Sequence, residues 1–159
     1  MNLTSLDRVK ALLSLTTEAQ DDLLASLIEG VSDAAQAYIG RPLGLHTVTS
    51  EHHTASGEVA HLRLRHWPVQ SVTAVVEGST TLAAADYQLE TSSDPRVGPR
   101  MLARLASSSF RSYWEAGSVA VTYEAGFVQE ALPSALQLAL ARQCAAAYRE
   151  TVVGGDRLG

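Results

Sequence analysis

The sequence predicts an α+β domain: an N-terminal helical hairpin and a C-terminal helix packed together, with a mostly antiparallel β-sheet inserted between them. Three observations lead there. Apolar residues recur at helical spacing over residues 3–38 and again from Leu132 to Tyr148. Between these segments, short stretches alternate apolar and polar residues, the period of a half-buried strand. No helical stretch separates those strands, so nothing supplies the crossovers that parallel pairing needs. At 159 residues the chain has the length of one ordinary domain, and a chain of that size buries roughly 70% of its unfolded surface.

Leu3, Leu6, Val9, Leu12 and Leu13 mark a first helix over residues 4–15, with Thr4 or Ser5 as its N-cap. Thr17 is positioned to cap a second helix over 17–39. Glu18, Asp21 and Asp22 fall in its first turns, where the helix dipole favours anions. Leu24, Leu27, Ile28, Val31, Ala35 and Tyr38 form its apolar stripe. Gly40 and Pro42 stop it. The helix also carries Glu29 and Asp33 and no basic residue, so its outer face is acidic.

A β region follows over 45–126. "LHTVTSEHHT" is strand-like, and "EVAHLRLRHWPV" sets Leu62 and Leu64 against Arg63 and Arg65. Pro68 breaks that strand, and "VQSVTAVVEGS" starts the next, ending in a turn at Gly78 and Ser79. "DYQLE", the polar loop "TSSDPRVGPR", "MLARLAS" and "SVAVTYEAG" complete a meander of short strands. Gly126 permits a turn, Phe127 pins it to the core, and Pro133 opens a last helix over 133–150. Leu132, Leu136, Leu140, Cys144 and Tyr148 are its core stripe. Arg142 and Arg149 lie in the C-terminal half, where the dipole favours cations. Residues 151–159 read as a flexible tail, leaving one domain over 1–150.

Composition excludes more than it identifies. Seventeen acidic against 12 basic residues give a net charge of −5, the wrong sign for gripping nucleic acid through its phosphates. It is compatible with letting DNA slide past. Lys10 is the only lysine. Arginine suits planar contacts, although a GC-rich coding sequence produces the same bias. A single cysteine, Cys144, forms no intrachain disulfide, and its place on an apolar stripe reads as a small buried hydrophobe. The N-terminus is too polar for a signal peptide and no apolar run spans a bilayer, so a soluble protein made in a cytoplasm is expected.

No motif carries catalysis. His46, His52, His53, His61 and His66 lack the convergent spacing of a zinc site and read as exposed strand histidines. Nucleophile elbows and phosphate-binding loops are absent, and "EAGF" has a glycine but no Ser, Thr or Lys to hold a phosphate. No catalytic residue, metal or cofactor is expected. Arg63, Arg65, Arg96, Arg100, Arg104 and Arg111 make the middle less acidic, as a solvated sheet face or a partner surface does. The residues favour a structural or interaction role.

Three pieces in fixed order carry a resemblance: "YIGRPL" (Tyr38 to Leu43), "WPVQSV" (Trp67 to Val72) and "VTYEAGF" (Val121 to Phe127), the last followed by a proline-started helix. With "LDRVKALLSLT" and "DYQLE", they make nearly the whole chain similar to the head–tail connector (adaptor, or head-completion) proteins of tailed bacteriophages. Residues 91–111 depart most from that pattern and receive no role. The resemblance implies a virion neck protein, assembled in the host cytoplasm, that forms a ring beneath the dodecameric portal. Its implied partners are the portal, a stopper or tail-completion protein, and neighbouring copies in a dodecamer. Genomic double-stranded DNA passes through without sequence-specific binding, and no membrane is involved. By the same analogy Tyr148, Arg149, Arg157 and Leu158 are expected to bind the portal. Asp21, Asp22, Glu29 and Asp33 are expected to face the channel and repel phosphates. Gly40, Pro42, Gly126, Phe127 and Pro133 are the structural joints. A stopper or tail terminator is the alternative, disfavoured by the helical hairpin.

Overall fold

The computed structural model describes residues 1–90, 99–106 and 110–155. It is α+β, with three α-helices and antiparallel sheets. The chain divides into two compact units, residues 1–44 with 127–159, and residues 45–126.

The first unit is helical. Helix α1, Leu6–Leu13, starts where Ser5 Oγ accepts the Arg8 N–H (3.3 Å) and ends at Ser14 in the left-handed region. Helix α2, Asp21–Ile39, begins four residues later than expected. Thr17 does not cap it: its hydroxyl is turned to the Gln20 side chain, and the Asp21 N–H closes a turn on the Glu18 carbonyl. The C-terminus of α2 is at Gly40 (φ 75°), whose N–H reaches the Gln36 and Ala37 carbonyls. A side chain with a β-carbon is strained there. Gln36 then guides the exit, its Oε1 accepting the Leu43 N–H at 3.1 Å. Helix α3, Ser134–Gly155, runs past the expected limit at 150, so residues 151–155 of the anticipated tail are helical. Pro133 lies just before it, and its carbonyl accepts from Leu136 and Gln137.

Two apolar clusters hold the helices. Val9, Leu24, Ile28, Ala141 and Cys144 form one, with Leu6, Leu13, Leu15, Val31 and Tyr148 against it. Leu3, Leu43, Leu132 and Leu140 form the other, joined by Val31, Ala35, Phe127 and Leu136. The Leu3 N–H donates to Ser32 Oγ (3.0 Å) and fastens the N-terminus to α2. Tyr38, expected on the core stripe, is instead 94% exposed. At the other end of the unit, the Phe127 N–H donates to the Leu43 carbonyl (2.8 Å) and Gly44 pairs with Phe127 in a parallel bridge.

The second unit holds the strands: β1 His46–Ala55, β2 His61–Arg63, β3 Val69–Glu77, β4 Thr80–Thr81, β5 Tyr87–Glu90, β6 Met101–Ala106, β7 Phe110–Arg111 and β8 Gly117–Ala125. The expected meander in one sheet is corrected. There are two antiparallel sheets, ordered β1-β8-β3-β4 and β2-β6-β5, with β7 on β6. Strand β8, last in sequence, is central because Val119, Val121, Tyr123 and Ala125 are all buried. Both sheets contribute to one core, with Leu62 and Leu102 packed among Val75, Trp114 and Val121.

A bulge at Ser50 (φ 53°) shifts the register of β1 between Val48 and Glu51. An inserted residue moves every later side chain to the other face, so Glu51 points inward. Glu51 accepts the Arg65 N–H (3.0 Å) and the Tyr123 hydroxyl, while that hydroxyl accepts the His66 N–H (3.1 Å). Burial first, then the bond to Glu51, raises the Tyr123 phenol above its ordinary range, which keeps it a donor. A second buried carboxylate, Glu77, accepts Arg104 Nε (3.2 Å), Arg104 Nη2 (3.1 Å) and the Glu115 N–H (2.8 Å). This pair joins β3 of one sheet to β6 of the other.

Removing one member of a buried ion pair leaves the other charge without compensation. Glu77→Ala is therefore expected to lower stability by about 3–5 kcal/mol in urea unfolding. The exposed Glu115→Ala serves as control and should stay within about 0.5 kcal/mol of the parent. Equal small effects from both would contradict this role for Glu77.

Candidate functional site

The histidines do not form a common site. His46 Nε2 lies 2.9 Å from His66 Nδ1, with the rings edge to face. His53 Nε2 is 2.7 Å from Glu51 Oε1, at ion-pair distance but off hydrogen-bond alignment. His61 reaches Glu90 across β6 at 3.1 Å. Only His52 is exposed, so the reading of all five as exposed strand histidines is corrected. Their partners come from non-adjacent strands, which strand alternation does not reveal. Among the described residues, no group of three or more His, Cys, Asp or Glu gathers as a metal site. The His61–Glu90 contact is the histidine–carboxylate pairing an enzyme would need. Here it is a cross-strand pair on a half-exposed sheet face.

Of the middle-region arginines, Arg104 is committed inside the β unit. Its Nη1 donates to the Asp86 (2.9 Å) and Leu105 (2.7 Å) carbonyls, and its guanidinium stacks 6.0 Å from the Trp114 ring centre. Arg63 and Arg65 are exposed. Arg96 lies outside the described residues.

The helical unit carries the exposed features. Asp21 is paired with Lys10 at 2.7 Å, so the lone lysine ties α1 to the start of α2. Asp22, Glu29 and Asp33 are exposed. At 100° per residue these three fall on one narrow stripe, with Asp21 about a quarter-turn away. The four expected channel residues thus divide into a stripe of three and one ion-paired member. On a different side of α2, Gly30, Val31, Ala34, Ala35 and Tyr38, with Leu140 and Gln143 of α3, line an open groove of about 680 Å³. Sequence reading missed this groove because Tyr38 was counted into the core.

The expected portal-binding residues also separate. Tyr148 packs on the Val9 and Leu24 cluster and serves the bundle. Arg149 is exposed near the end of α3. Arg157 and Leu158 lie outside the described residues. Among the joints, Pro42 is exposed, and Gly126 (φ 109°) is buried. The Gly126 N–H donates to the Pro68 carbonyl, and its own carbonyl accepts from Gln70 Nε2 at 2.8 Å. Both sides of this peptide are thereby used by the backbone and by Gln70, and the opening left for a ligand anion at "EAGF" is taken. No helix among the described residues is long and apolar enough to cross a membrane.

Cys144 sits in the core of the bundle, its Sγ 3.9 Å from the Leu27 carbonyl, and burial raises its thiol above the ordinary value. A raised pKa and a closed environment both slow thiolate chemistry. The thiol is expected to resist iodoacetamide in the native protein and to label fully in urea. Rapid native labelling would contradict the packing of α3 on α2.

Residues 3–74 match the family model described as phage gp6-like head-tail connector protein. No curated protein matches the chain. The family match covers α1, α2, β1, β2 and most of β3, and it includes the "YIGRPL" and "WPVQSV" pieces. The resemblance to head–tail connectors is borne out over these residues.

Proposed function

From that family match we propose that the chain is a structural protein of the bacteriophage neck, placed between portal and tail. Copies assemble as a ring, a dodecamer in register with the portal, and the ring extends the DNA channel. One side of the ring binds the portal, and the other binds a stopper or tail-completion protein. Genomic DNA passes through without sequence-specific contacts, in keeping with the net charge of −5. A stopper or tail terminator is the competing reading, and the α1–α2 hairpin favours the adaptor.

The observation that carries this reading is the match across the hairpin and the first strands. The portal contact is assigned to the C-terminal end, with Arg157 and Leu158 as its anchors. Thr151 and Val152 are exposed, and among the described side chains neither helical cluster extends beyond Tyr148. The truncated protein is expected to keep its helical circular dichroism and its melting temperature within a few degrees. It should fail to co-sediment with DNA-filled heads. Normal attachment of the truncated protein would overturn the portal assignment.

A further inference from the structure

We draw no further inference here: the strongest candidate, the open groove lined by Gly30, Ala34 and Tyr38 of α2 with Leu140 and Gln143 of α3, carries none because nothing in the structure shows what covers it.

Discussion

The clasp between Leu43 and Phe127 governs how this chain can fold at all. One backbone hydrogen bond of 2.8 Å and the Gly44–Phe127 bridge close the helical unit at the two points where the chain leaves and returns. They add backbone bonds to the apolar packing of α3 on α1 and α2. The β unit meets the same constraint from its own side. His46 pairs with Ala125 at the first position of β1 and the last of β8, so its ends lie side by side. An insertion with adjacent ends adds little loop-closure entropy to the host unit. Gly126 makes the passage, with its positive φ and its N–H held by Pro68.

Each unit then solves a different problem. The helices are held by two apolar clusters, from Leu3 to Tyr148, that both draw on Val31. The β unit contains the buried polar groups, Glu51 with Tyr123 and Glu77 with Arg104. Each carboxylate is met by a backbone N–H as well as a side chain, which is what makes a charge tolerable inside a protein. These groups look like chemistry in a sequence and act as rivets in the structure. Tyr38, the acidic stripe and the arginines of α3 are exposed on the helices, and Arg63, Arg65 and Tyr113 on the β unit.

Much of the fold was legible because local rules were sufficient. Gly40 with Pro42 marked the end of α2, alternation marked β8 as a strand, and the stripe from Leu132 to Cys144 marked α3. Sheet order was not legible, since β8 reaches over the sequence to pair with β1 and β3. The bulge at Ser50 is decided by what Glu51 must meet from Arg65 and Tyr123, and those residues are distant in sequence. Tyr38 was misplaced because it sits at the shoulder of the stripe, where helical spacing alone does not decide whether a side chain is covered. Asp21 looked equivalent to Asp22 until Lys10 was placed beside it. Two of the short pieces that carried the resemblance lie within the matched residues, and one of them, "YIGRPL", is a joint that holds the C-cap of α2 and the Leu43 half of the clasp.

The central claim is that this chain is a ring component of the neck, and its location in an intact particle tests that most directly. Electron cryo-microscopy of DNA-filled virions, refined without imposed symmetry at the portal vertex, is the measurement. The account predicts a closed ring of this fold directly below the portal, around the DNA. Density for the protein in the tail tube or capsid shell, or a neck assembled without it, would contradict the account.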